Sequence, residues 1–134
     1  MNGVEIRTLR KHEDERGWLA EILRREHLAP DATFGQIYVT CALPGQAKGS
    51  HYHARKTEWF CVLRGACALD LLDPETGLKE TLALDEASLR AVKIPPGVAH
   101  RFRNTGAETL LLLIYSSEPF HEEDPDAVAV SWEA

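Results

Sequence analysis

Long apolar runs are missing from this 134-residue chain: segments such as TLLLLIY at 109–115 fall far short of the ~20 residues that cross a bilayer. The first residues, MNGVEIRTLRKHEDERG, lack both the apolar stretch and the small-residue cleavage site of a secretory leader. These absences predict a cytoplasmic protein with no membrane partner. Basic blocks are missing too. With 21 acidic against 15 basic residues and a formal net charge of −6, no nucleic acid is expected as a partner. Cysteine is scarce: Cys41, Cys61 and Cys67 form an odd set without CxxC spacing, each inside an apolar run. That excludes a disulfide framework and a cysteine-built zinc site, and predicts free buried thiols. No repeat, low-complexity tract or linker interrupts the chain, and its length predicts a single domain over 1–134.

What is present is a series of short segments rich in Val, Ile, Leu and aromatics, separated by Gly, Pro, Asp or Asn. EIRTL, GWLAEIL, QIYVTCA, EWFCVL, ACALDLL, KETLAL, RAVKI, HRFRN, TLLLLIY and VAVSW read as about ten strands, enough for an all-β fold of two packed sheets. DPETG at 73–77 predicts a hairpin turn, because proline fixes one φ and glycine supplies another. LAEILRREHLA at 19–29 has loosely helical spacing, but GWLAEIL alternates, and a strand is expected there. The acidic HEEDPD at 121–126 reads as a solvated turn.

The chemistry concentrates in GSHYHARKTEWFCVLRG, residues 49–65. On a strand, His51 and His53 point to one face because side chains alternate with a period of two. After a tight turn through ARKT, Glu58 swings back beside them, with Phe60 and Val62 on the same inward face. About forty residues later, Pro95, Pro96 and Gly97 form a turn that delivers His100 at the start of another strand. A lone His-x-His is often only a surface pair, but together these two pieces offer His51, His53, Glu58 and His100 as metal ligands. Three neutral imidazoles and a carboxylate suit a borderline divalent ion such as Zn, Fe, Mn, Ni or Cu; ligand types alone do not choose among them, and Zn is taken as the first expectation.

These residues carry a family resemblance. Gly45, five residues, His51-x-His53, four residues, Glu58, six residues and Gly65 resemble the first motif of the cupin superfamily throughout. Pro95-x-Gly97, two residues, His100, three residues and Asn104 resemble most of the second, which usually opens with glycine where this chain has Leu89. The resemblance implies a cupin jelly-roll β-barrel of two packed antiparallel sheets. DERGWLAEI, KGSHYH, IPPGVAH and SSEPFHEEDPD are similar, in that order, to the sugar-nucleotide branch. They look most like the C-terminal cupin domain of bifunctional capsular-polysaccharide reductase/epimerases, and more loosely like dTDP-4-dehydrorhamnose 3,5-epimerases and the 3,4-ketoisomerases.

The resemblance implies an isomerase of polysaccharide or deoxysugar biosynthesis. Its substrate would be a nucleotide-diphospho-sugar with a 4-keto-6-deoxy ring, and its reaction C3 or C3/C5 epimerisation or 3,4-ketoisomerisation. Such chemistry removes a proton beside the ketone, and a cation or fixed donor stabilises the enolate. In rhamnose-type epimerases the histidine matching His51 is the base and glutamine matches His53. With His53, Glu58 and His100 all present, His51 is assigned to the metal and the base stays open. Tyr115 matches a catalytic tyrosine of those epimerases, and either relays a proton or is one more residue of a buried strand. Lys48 and Arg64 are the candidate substrate-binding cations, whereas Arg101 and Arg103 alternate with His100 and Phe102 and are expected to face outward. Trp18, Trp59 and Trp132 read as core or interface packing.

Two other readings compete: a metal-dependent cupin dioxygenase, and a non-catalytic sugar-binding cupin. Open strand edges and exposed aromatic faces, together with the habit of such relatives, imply a homodimer in which N-terminal strands pack across to the partner.

Overall fold

On the strand Glu58–Arg64, Phe60 and Val62 lie on one face and Trp59 and Cys61 on the other, and all four are buried. A strand covered on both sides needs a sheet behind it and a layer in front. A computed structural model of the chain describes residues 1–132 and supplies both. Its strands are β1 (Glu5–Thr8), β2 (His12–Asp14), β3 (Gly17–Leu19), β4 (Gln36–Ala42), β5 (Ala47–Tyr52) and β6 (Glu58–Arg64). They continue with β7 (Ala66–Leu72), β8 (Lys79–Asp85), β9 (Arg90–Ile94), β10 (Ala99–Asn104), β11 (Leu110–Ser116) and β12 (Val128–Ala129). One antiparallel sheet runs β1-β9-β6-β11-β4 and the other β12-β5-β10-β7-β8, while β2 and β3 form a separate ribbon. The architecture is the all-β, cupin-like barrel of two packed sheets that the sequence predicts.

The inner faces meet in one core. Phe60, Val62, Val92, Ile94, Leu110, Leu112 and Ile114 of the first sheet pack on Cys67, Leu69, Leu71, Leu84 and Phe102 of the second. Burying each large aliphatic or aromatic side chain there contributes roughly 1.5–3 kcal/mol before entropy is counted. A second, smaller cluster of Leu9, Cys61, Leu89 and Ala91 lies on the outer face of the first sheet, covered by Ala20 and Ile22. This cover explains why GWLAEIL pairs as a strand only over Gly17–Leu19: the rest of the segment packs against the sheet instead of joining it. The helical alternative is realised only as a single 3-10 turn at Arg25–His27. VAVSW pairs only at Val128–Ala129. The expected turn at 73–77 closes the β7–β8 hairpin, with Asp73 N–H on the Leu78 carbonyl at 2.9 Å. All three cysteines are free; Cys61 and Cys67 are buried, but Cys41, expected to be buried, is exposed on the edge strand β4.

Arg101 and Arg103 face away from the core, as expected, and grip Asp70 through four bonds of 2.6–3.0 Å, with the Thr81 hydroxyl donating a fifth at 2.9 Å. The Arg103 hydrogen bond, opposed by burial and joined by those of Arg101 and Thr81, holds the Asp70 carboxyl down at about 2. An unfolded-chain aspartate titrates near ~3.9, so this cluster stabilises fully above that pH and fades as pH falls towards 2. Asp70→Asn should therefore flatten the fall of the urea midpoint between about pH 4 and 2. An acid limb as steep as wild type would contradict this.

Candidate metal centre and active site

Three features of the chain bring the histidines together. First, β5 is bulged where it pairs with β10: His100 faces His51 and Arg101 faces Gly49, leaving Ser50 as the extra residue, at φ 70°. Gly49 permits the close approach, since a Cβ there would lie 2.7 Å from the His100 carbonyl oxygen. Second, the turn before β10 donates its Gly97 N–H to the His53 carbonyl at 2.8 Å, pinning the residue just past the end of β5. Third, β6 begins with Glu58 on the inward face, in line with Phe60 and opposite Ser116. As a result, His51, His53 and His100 each offer a ring nitrogen, all within 4.8 Å of one another. Glu58 Oε1 lies 2.9 Å from His53 Nε2 and 3.7 Å from His100 Nε2.

The tautomers follow from the outer partners. His53 Nδ1 meets the Asp126 carbonyl at 2.5 Å and His100 Nδ1 meets the Val98 carbonyl at 3.2 Å. Carbonyls only accept, so each Nδ1 carries the hydrogen and each neutral ring turns an Nε2 lone pair towards the Glu58 carboxylate. Lone pairs facing a carboxylate repel unless a proton or a cation lies among them. This donor set, with His53 and His100 oriented by backbone carbonyls, fits a divalent metal ion held by His51, His53, Glu58 and His100.

The protonation preferences without an ion agree. Burial, reinforced by the His53 charge, lowers His51, and burial drives His100 down to about 4. At His53 burial works downward, but the hydrogen bond and charge of Glu58 and the Asp126 carbonyl outweigh it and raise the value. Burial pushes Glu58 upward, yet the His53 hydrogen bond, the His53 and His100 charges and the Tyr38 hydroxyl bring it below the ordinary carboxylate range.

The cluster stands at the junction of two cavities. An inner chamber of about 160 Å³ is bordered by Tyr38, Lys48, His51, Glu58, His100 and Phe102. An outer chamber of about 430 Å³ is bordered by Tyr38, His51, His53, Lys56, Glu58 and Phe120. The segment after β11 walls the outer chamber. Its Asp126 carboxylate accepts the N–H groups of Ala54, Arg55 and Lys56 at 2.8, 3.0 and 3.0 Å. Arg55 ties the same segment through Glu118 and Asp124. HEEDPD is thus part of the site wall rather than only a solvated turn.

Residues 12–128 match the polysaccharide biosynthesis C-terminal domain. The chain belongs to that family. Among relatives of this polysaccharide biosynthesis domain, UDP-2-acetamido-2,6-beta-L-arabino-hexul-4-ose reductase of Pseudomonas aeruginosa is 31% identical over 120 residues. That match covers 90% of this chain but only 31% of the reductase, so the chain spans less than a third of that protein's length. The spore coat polysaccharide biosynthesis protein SpsL of Bacillus subtilis is 27% identical, over 99% of this chain and 91% of its own length. Among solved structures, a dTDP sugar isomerase of Desulfovibrio desulfuricans superposes with a TM-score of 0.83 at 26% identity, covering 99% of this chain and 87% of that one.

Of the residues singled out from sequence, His51, His53, Glu58, His100 and Lys48 meet at the site of this polysaccharide biosynthesis domain. Tyr115, read from sequence as either a proton relay or one more residue of a buried strand, is not brought there and is a buried residue of β11. Ile114 faces inward opposite Phe60, so its neighbour Tyr115 pairs with Trp59 and points to the outer face of the sheet. There its hydroxyl accepts the Gly35 N–H at 3.0 Å and its ring borders an apolar pocket of about 480 Å³ with Phe34, Ile37 and Leu113. Although this is a larger cavity, the three histidines and Glu58 lie outside it. Arg64 is also absent from the site, because it ends β6 six residues beyond Glu58, roughly 20 Å along the strand, and is exposed. Sequence reasoning missed Tyr38, whose O–H donates to Glu58 Oε2 at 3.2 Å from β4, and Asp126, which is 73 residues from the histidine it orients.

Proposed function

We propose that the chain is a sugar-nucleotide epimerase or isomerase acting on a nucleotide-diphospho-sugar with a 4-keto-6-deoxy ring, as a C3 or C3/C5 epimerase or a 3,4-ketoisomerase. The observation that carries this reading is the junction itself: two imidazoles oriented by backbone carbonyls, a carboxylate and a phenol converge where two chambers meet. The names of the relatives, a hexulose reductase and a dTDP sugar isomerase, support the substrate class. His51, His53, Glu58 and His100 would hold a divalent ion, with Zn the first candidate. When bound, it would supply a Lewis acid against the charge that develops on the ketone oxygen during enolisation.

The chain's own residues supply orientation and a proton. The Tyr38 O–H, donated to Glu58 at the junction of the two chambers, is placed to act as a proton donor; in the ion-free site burial and the Glu58 charge raise the phenol. A base, left unassigned with His51 given to the metal, takes the C3 proton and the C–H electron pair passes into the enolate. Tyr38 then returns a proton to one face of that carbon, solvent reprotonates Tyr38, and the base gives up its proton to solvent. Lys48 contributes a cation to the inner chamber. The test is proton NMR of a dTDP- or UDP-4-keto-6-deoxyhexose with the protein in deuterium oxide. Loss of the C3 signal is expected; persistence of both C3 and C5 signals with metal-loaded protein would overturn the reading.

A second reading has one observation in its favour. His51 borders both chambers, and among the described residues its ring nitrogens enter no hydrogen bond, unlike those of His53 and His100. A metal-free site with His51 as the base is therefore the alternative.

We also infer a homodimer. The edge strand β4 leaves Ile37 and Val39 55% and 54% exposed on the outer face, an apolar edge that a second copy would cover. Ile37→Glu combined with Val39→Glu should shift the mass measured by light scattering from dimer to monomer; an unchanged mass would contradict this face.

A further inference from the structure

Lys56 is the buried cation that neither the metal centre nor the proton chemistry uses. It is only 5% exposed, in the turn between β5 and β6, and borders the outer chamber beside His51, His53 and Glu58. A buried ammonium is costly unless it is paired. The Asp126 carboxylate, which packs on this turn, is occupied by the backbone N–H groups of Ala54, Arg55 and Lys56 itself. Among the described residues, Nζ enters no ion pair and finds one acceptor, the Pro125 carbonyl at 3.3 Å, with the Phe120 ring centroid at 5.7 Å. An ammonium has three donors, so two remain without a protein acceptor beside a cavity of about 430 Å³. Lys48, by contrast, is exposed and borders the smaller inner chamber.

We propose that Lys56 Nζ is an anion-recognition group that takes the diphosphate of the nucleotide-linked substrate in the outer chamber. This rests on the sugar-nucleotide reading above for the identity of the anion. The diphosphate supplies the missing counter-charge and acceptors in charge-assisted bonds, and its negative charge would otherwise be repelled by Glu58. The ring at the other end of the substrate is then held at the junction beside the histidines. The wall segment containing Pro125 and Asp126 serves both ends: its carbonyls orient His53 and Lys56.

The test is calorimetric titration of the full chain, with its metal content measured, using dTDP, UDP and pyrophosphate at low and moderate salt. Lys56→Gln should weaken nucleoside diphosphate binding about ten-fold or more and reduce its salt dependence, with metal content unchanged. Lys56→Arg, which keeps the charge, should bind within about three-fold of wild type. If Lys56→Gln arrives without metal, Lys56→Met is read in its place. Wild-type affinity in a metal-loaded Lys56→Gln or Lys56→Met variant would overturn the proposal while C3 exchange keeps the sugar-nucleotide reading. Pyrophosphate binding that depends on Lys56, in protein that leaves every 4-keto sugar nucleotide unchanged, would uphold the anion site and remove that reading.

Discussion

His100→Ala is expected to carry about ten-fold less divalent metal per chain than wild type, measured by elemental mass spectrometry after dialysis, and His53→Ala is expected to match it. Loss of one ligand costs at least as much as loss of an outer partner, for which 10–100-fold is typical. The two variants separate metal loss from misfolding. His100 is 2% exposed and packs against Phe60 and Phe102 at centroid distances of 5.4 and 6.4 Å, so its truncation also opens the core. His53 sits past the end of β5, where truncation disturbs less packing. A ligand that binds only the folded state raises Tm, and that rise should vanish in both variants. Stoichiometric metal in every histidine variant would end the four-ligand assignment.

Tyr38→Phe is expected to lower kcat for epimer formation about 100-fold while sparing bound metal, because a positioned proton donor contributes about 10²–10⁴. The same variant should still exchange the C3 proton for deuterium, since abstraction precedes the step assigned to Tyr38. Tyr115→Phe should leave both rates near wild type. It loses only the bond from the Gly35 N–H on the far side of the sheet. If Tyr115→Phe slowed turnover and Tyr38→Phe did not, the inward face of β4 and the outward face of β11 would have been assigned the wrong chemistry.

The two tyrosines show what the sequence carries and what it does not. The clustering residues were legible because a polar residue inside an apolar context marks its own face: His51, His53 and Glu58 stand out, and IPPG announces the turn before His100. TLLLLIY has no such marker. It is apolar on both faces, because one side meets the core and the other, through Leu113 and Tyr115, borders the apolar pocket with Ile22, Phe34 and Ile37, so periodicity alone assigns Tyr115 to either. The pairing of Ile114 with Phe60 decides it, and that is a tertiary fact. QIYVTCA hides Tyr38 for the same reason. Lys48 and His51, three apart, would face opposite ways on a regular strand; the bulge at Ser50 puts both at the inner chamber. AKGSHY did not read as a strand because it is polar and contains glycine, yet it pairs with β10 along the site.

The fold and the four side chains that cluster at the site were therefore readable from local pattern, whereas the wall made by residues 117–127 was not. Towards His53 and Lys56, Asp126 and Pro125 act through backbone carbonyls, which any residue possesses, so their side chains do not announce that role. Asp126 itself is held at φ 49°, a conformation sustained by its three backbone N–H partners.

The central claim is that enolisation depends on a cation held by His51, His53, Glu58 and His100. Its most direct test is to strip the protein with a chelator and follow C3 deuterium exchange in a 4-keto-6-deoxy sugar nucleotide. Exchange should disappear in the stripped protein and return when a divalent metal is added back. Exchange at the full rate in metal-free protein would contradict the claim and transfer the chemistry to His51 as a base.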